Sequence, residues 1–273
     1  MTGLPTSSGG LALSAPMALS SFVDGRLWGV RQGTGRPWLL ALHGWGRDHS
    51  DFTGLVSGTD AVVLDLPGFG ASPEPPEPWS TAQYADLVAS VLDGFGGAAV
   101  VVGHSFGARV AVHLTLDRRV RALVLTGAPL ANAPGHVQAR PHFAYRAGRA
   151  LHRARLLGDR RMERLRQRYG SEDYRNASEV MRGVLVKSVR ETAESAYVPL
   201  LRDFMAGGGS VELVWGEGDS VASLTGLRSA LSGLSDDATH VTVVPRAGHL
   251  LTPGLTEQLR AAALRHRPGP QAR

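Results

Sequence analysis

The sequence predicts an α/β fold: an open, mostly parallel, doubly wound sheet with helices on both faces. Two observations carry this. Six apolar runs of strand length recur, at "PWLLALHG", "AVVLDLPG", "AAVVVGHS", "VRALVLTG", "SVELVWGE" and "HVTVVPRAG", each dense in Val and Leu without strict alternation. Strands buried on both faces of a parallel sheet read this way, because neither face is reserved for water. Helix-compatible segments lie between the runs, and strands alternating with helices build parallel sheets through right-handed crossovers. The 273 residues suffice for one sizeable core, as one domain or as a domain with an insertion.

The elements follow in order. "MTGLPTSSGGLALSAPMALSSF" has no basic leading segment and no sustained apolar stretch, so it reads as a loose arm to about residue 20 rather than a signal peptide. "SSFVDGRLWGVRQG" reads as an antiparallel hairpin turning at "DG". "STAQYADLVASVLDGFG" opens on Ser80 with Gln83 three places on, the pairing of a capping box, and "GFGG" at 94–97 ends that helix. Residues 129–209 break the rhythm. They hold no strand-like run and read as helices around "HFAYRAGRALHRARLL", "RRMERLRQRYG", "NASEVMRGVLVKSVR" and "TAESAYVPLLRDFMA". So long a segment is an insertion rather than a connecting loop. It is expected after the sixth strand, as a helical cap over the carboxyl edge of the sheet. "SLTGLRSALSGL" and "TPGLTEQLRAAALRHR" supply the last helices. The expected organisation is a core of residues 21–128 and 210–268, a cap of 129–209 and a frayed tail of 269–273.

Composition narrows the chemistry. There is no cysteine, which excludes disulfides, thiolate metal sites and a cysteine nucleophile, and is compatible with a cytoplasmic location. No apolar run reaches the roughly 18 residues of a membrane span. The net charge of +5 is nearly all arginine on the positive side, Lys187 being the sole lysine, and no nucleic-acid-binding motif accompanies it. H-E-x-x-H, a phosphate-cradling loop and a G-x-G-x-x-G after a strand are all missing, so neither metal nor cofactor is expected.

The strongest motif is Gly103-His104-Ser105-Phe106-Gly107, a G-x-S-x-G between a predicted strand and a predicted helix. A sharp strand-to-helix turn lifts the serine above the sheet, and the helix N-terminus favours negative charge beside it. A serine hydroxyl needs a base, and the base needs an acid to orient it. Partners belong on loops after later strands. "SVELVWG" is followed by Glu217 and Asp219, and "HVTVVPRAG" by His249. Asp219 is preferred as the acid, with Glu217 the runner-up. Of the other downstream histidines, His240 precedes its strand and His266 lies in the last helix or tail. Oxyanion donors are expected from the backbone N–H of Phe106 and from the loop "LHGWGRDH", at Trp45 or failing that Gly44. His43, His104 and Asp65 read as structural.

"HGWG", "DLPGFGAS", "GHSFGA", "WGEGD" and "AGHL" occur in this order. With them the chain, over about residues 20–268, resembles cap-bearing enzymes of the α/β-hydrolase fold. It is similar to small carboxylesterases, pimeloyl-carrier-protein methyl esterases among them. Serine at 105 disfavours the aspartate-nucleophile relatives. The resemblance implies a serine hydrolase of small or carrier-bound acyl esters. C–C bond hydrolysis, lactone opening, perhydrolysis and a non-catalytic binding role are alternatives. Between His136 and Met205 stand 15 basic and 8 acidic residues, a net +7. That charge suits a solvated surface, attraction of an acidic acyl carrier protein, or a lid at a lipid surface.

Overall fold

The computed structural model describes residues 18–131, 147, 150–169, 171–194, 196–232 and 239–269. Eight strands form one sheet: β1 (Leu19–Phe22), β2 (Leu27–Gln32), β3 (Leu39–Leu42), β4 (Ala61–Asp65), β5 (Ala99–His104), β6 (Val120–Thr126), β7 (Ser210–Gly216) and β8 (Thr239–Val244). Their spatial order is β1-β2-β4-β3-β5-β6-β7-β8. The hairpin β1–β2 and the β2–β4 pair are antiparallel, and every other pair is parallel. All six apolar runs and the hairpin therefore become strands. β1 starts at Leu19, two residues inside the stretch read as an arm; residues 1–17 lie outside the described residues.

The unbroken apolar runs follow from burial on both faces. Leu40, Leu42, Leu64, Val101 and Leu123 face one apolar layer, while Leu39, Ala41, Val63, Val100 and Val124 face the other. The first layer is closed by α2 (Thr81–Ala89) and α3 (Phe106–His113), the second by α1 (Thr53–Val56) and α9 (Pro253–Arg265). α2 begins with the expected capping box: Ser80 Oγ accepts from Gln83 N at 3.2 Å, and Gln83 Oε1 accepts from Ser80 N at 2.9 Å.

Between β6 and β7 the described elements are helical: α4 (Asp159–Tyr169), α5 (Glu172–Asn176), α6 (Glu179–Ala193) and α7 (Tyr197–Ala206). α8 (Leu224–Leu231) follows β7. Most of "HFAYRAGRALHR" lies outside the described residues, although 150–153 are helical. Met181, Val184, Tyr197 and Leu201 join the first apolar layer. A buried polar seam backs them. Glu191 Oε2 accepts from Thr81 Oγ1 at 2.7 Å and from Tyr197 OH at 2.8 Å, and Arg109 donates to Ser188 Oγ at 3.1 Å. No described helix is long and apolar enough to cross a membrane.

The order β4-β3-β5 marks the switch point. From β3 the chain steps one way to β4, then crosses back to pair β5 on the other side. The loops leaving β3 and β5 diverge there, and the crevice between them is where open α/β sheets bind ligands.

Candidate active site

Ser105 occupies the turn from β5 to α3 with φ 51° and ψ −108°, a backbone conformation that costs a non-glycine residue on the order of 1–3 kcal/mol. Two glycines make so tight a turn possible. A Cβ on Gly103 would lie 2.5 Å from Ala108 Cα, and one on Gly107 would lie 2.2 Å from the Leu42 carbonyl oxygen. Ser105 N donates to Thr126 O and Gly107 N to His43 O, both at 3.0 Å, which pins the turn between the ends of β6 and β3.

The structure brings Ser105, His249 and Asp219 together. Ser105 Oγ lies 3.1 Å from His249 Nε2, and His249 Nδ1 lies 3.0 Å and 3.1 Å from the two Asp219 carboxylate oxygens. The Asp219 side chain is 1% exposed, and its Oδ1 also accepts from the N–H groups of Val221 at 2.8 Å and Ala222 at 3.0 Å. Burial pushes its carboxyl up, but hydrogen bonds from His249, Ala222 and Val221 outweigh that and hold it below the usual range. An ionised Asp219 can only accept, so it fixes the proton on His249 Nδ1 and leaves Nε2 to accept from the serine hydroxyl.

The rivals go elsewhere. Glu217 is exposed and its Oε2 accepts from Arg246 N at 3.4 Å. His240 sits within β8, and His266 lies against Glu212 at 2.8 Å. Spacing alone could not separate Glu217 from Asp219; the turn that aims Asp219 through Val221 and Ala222 does.

The loop after β3 lies against the serine: a Cβ on Gly44 would fall 3.3 Å from Ser105 Cβ. Trp45 meets Phe69 and Phe106 edge-on, with ring centroids 5.0 Å and 5.4 Å apart. Among the described residues the N–H groups of Gly44, Trp45 and Phe106 have no hydrogen-bond partner. His43 ties the loop down. Its Nδ1–H donates to Gly44 O at 2.7 Å, its Nε2 accepts from Leu66 N at 2.9 Å, and burial lowers its pKa. Asp65 shapes the neighbouring loop, accepting from His49 N at 2.7 Å and Ala71 N at 2.9 Å. Asp48, His49 and Asp65 bring potential metal-ligand atoms within 4.8 Å of one another, and both carboxylates already accept main-chain N–H groups.

His104, next to the serine, is buried. Its Nε2–H donates to the His249 carbonyl at 2.9 Å. Burial first, then the proximity of His249, pushes it down to about 4, so it is neutral near pH 7.

One position that shapes the candidate site escapes sequence reading. Gly127, at the end of β6, has φ 53°, and a Cβ there would lie 3.0 Å from His249 Nδ1 and Cε1 and 3.3 Å from Asp219 Oδ2. The floor under the imidazole–carboxylate pair must be bare. The only sequence signal is a glycine ending a strand, which is what any turn shows. Gly127→Ala is expected to lower kcat about tenfold or more by displacing the His249 ring. Left-handed backbone strain of about 1–2 kcal/mol should also lower Tm by a few degrees. Steady-state kinetics and thermal melts check both.

Fold and geometry define a class: a doubly wound α/β protein carrying a hydroxyl–imidazole–carboxylate line at its switch point. The chain belongs to the alpha/beta hydrolase family, whose sequence model matches residues 39–262. It is 39% identical over 107 residues to the dihydrolipoyllysine-residue acetyltransferase component of the acetoin cleaving system of Cupriavidus necator, a match covering 37% of this chain and 29% of that protein. It is 48% identical over 64 residues to lipase LipV of Mycobacterium tuberculosis, covering 22% of this chain and 24% of the lipase. The match thus spans less than a third of either relative's length. The thioesterase domain from the curacin biosynthetic pathway superposes with a TM-score of 0.62 at 16% identity, over 91% of this chain and 98% of that domain, a likeness of fold.

Proposed function

We propose that this protein is a serine hydrolase of carboxylic esters working through an acyl-enzyme. The observation that carries the reading is the continuous line from Ser105 Oγ through His249 to the buried Asp219, with Ser105 held in strained backbone. His249 Nε2 takes the hydroxyl proton as Ser105 Oγ bonds to the acyl carbon. The carbonyl π electrons move to oxygen, where the N–H groups of Trp45 and Phe106 receive the charge. As the tetrahedral centre collapses, the bond to the alcohol oxygen breaks and His249 returns the proton to it. Water then repeats the sequence with the acyl-enzyme, freeing acid and serine. Asp219 keeps the imidazole in the productive tautomer and stabilises the imidazolium.

The same line would serve C–C bond hydrolysis, lactone opening or perhydrolysis. Ester hydrolysis, of which lactone opening is the cyclic case, is preferred because perhydrolysis needs a peroxide and C–C cleavage a protonated carbon leaving group. A non-catalytic role gives no reason for a strained serine facing an oriented imidazole. Fluorophosphonate labelling tests the reading. Wild type is expected to be labelled at Ser105 and Ser105→Ala to stay unlabelled; a wild type inert where a control esterase reacts overturns it.

In this reading α4–α7 form a cap that selects the substrate, and its basic surface attracts acyl groups borne on an acidic carrier protein. Arg153 and Arg160 are both exposed. Reversing them to Glu is expected to lower the ratio of carrier-borne to small-ester kcat/KM about tenfold, and raised salt should shrink the wild-type ratio. An unchanged ratio would leave the arginines as ordinary solvated surface.

A further inference from the structure

We propose that His104 is a positioning residue for His249: its Nε2–H anchors the main chain of the loop that carries the base, and so holds the imidazole on the line between Ser105 and Asp219. The inference rests on the serine-hydrolase reading above and assigns a role to a residue outside its chemical steps.

The His249 loop is otherwise thinly held. β8 ends at Val244, and the turn after it is tied by Gly218 N donating to Ala247 O at 2.9 Å. The next helix is capped from Thr252, whose Oγ1 accepts from Leu255 N. Among the described residues, the main chain from Gly248 to Leu251 makes one hydrogen bond, that from His104 Nε2 to His249 O at 2.9 Å. The two rings lie 5.2 Å apart, tilted by 46°. Without this bond the base is held by the hydrogen bonds of its side chain alone, to Asp219 and to the Ser105 hydroxyl.

The chemistry of His104 argues against simple space filling. With the proton on Nε2, Nδ1 is a buried acceptor, and it has no partner. It sits against the loop after β3, where a Cβ on Gly44 would come within 2.8 Å of it. A buried, unmet acceptor is a cost that a phenyl ring of similar size would avoid. What the imidazole offers in return is its one N–H, aimed at the base loop. Because the ring is held neutral, it makes this bond without opposing the positive charge His249 carries in turnover. One side chain thus touches all three loops of the site: the turn it belongs to, the Gly44 loop and the His249 loop.

Two substitutions separate donor from volume. His104→Gln keeps an N–H near the Nε2 position with less bulk, while His104→Phe keeps the bulk without a donor. Ester kinetics, the rate of fluorophosphonate labelling and Tm are measured on both, with wild type alongside. His104→Phe is expected to lose about tenfold or more in kcat with KM within about twofold, to label correspondingly slowly, and to melt no lower than wild type. His104→Gln is expected to retain kcat within about threefold. A Phe variant as active as wild type, or a Gln variant as impaired as Phe, overturns the positioning role while the serine reading stands. An unlabelled, inactive wild type overturns both. If His104→Phe fails to fold, His104→Leu, equally without a donor, reads the same contrast.

Discussion

Ser105→Ala is expected to lower kcat for an acyl ester by about 10⁴-fold or more, because losing the nucleophile leaves only the oxyanion donors and binding to act on the substrate. The protein should still fold, since among the described residues the Ser105 hydroxyl hydrogen-bonds only to His249 Nε2. Backbone strain supplies a second, independent readout. At φ 51° a Cβ is unwelcome whether it belongs to Ser or Ala, whereas Gly adopts that conformation freely. Ser105→Gly should therefore be as inactive as Ser105→Ala and melt at or above it. Differential scanning calorimetry of the pair decides: a Gly variant melting well below the Ala variant would mean that the turn stores no strain at this position.

The second large effect concerns the acid. Asp219→Asn is expected to lower kcat by about 10³–10⁴-fold with little change in fold. The Asn carbonyl can go on accepting from Val221 and Ala222, which turns its NH₂ toward His249 Nδ1. That nitrogen must then accept, the ring proton moves to Nε2, and Ser105 Oγ faces a donor instead of a base. Glu217→Gln, two residues away, should change kcat by less than about twofold, because Glu217 is exposed and engages the Arg246 N–H. Comparable losses in the two variants would mean that the acid had been wrongly assigned.

Much of the fold and of the site's arrangement is legible in the sequence, for a physical reason. A parallel sheet buried on both faces demands long apolar runs, so β3 to β8 stand out. Groups that act on a ligand must come from the loops leaving their carboxyl ends. Ser105, Asp219 and His249 each follow such a run, and the structure brings those three together. What could not be read depends on distant main chain. Gly127 looks like any strand end until the His249 ring is found so near that a Cβ there would lie 3.0 Å from it. His104 looks like filler until its partner proves to be a carbonyl 145 residues further on. Glu217 and Asp219 are alike in spacing; which of them faces His249 depends on the turn in which Val221 and Ala222 donate to Asp219. Between β6 and β7 the helical character was plain from composition, but the breaks were not. The short α5 is set by Ser171 and Ser178, each capping the helix that follows it, as ordinary polar residues would anywhere.

The contact between Ser105 and His249 joins residues 144 apart, and β7 and β8 are the last strands of the sheet to be synthesised. A nascent chain completed through β6 carries the β5–α3 segment with neither acid nor base to meet it. Its hydroxyl stays inert until the final two strands add to the sheet edge. Such long-range pairing is the slow part of folding, paid in loop closure before it is rewarded. Under the serine-hydrolase reading proposed above, activity is therefore a late property of this chain. Its recovery after dilution from denaturant would report the docking of β7 and β8, well after collapse and helix formation have run their course.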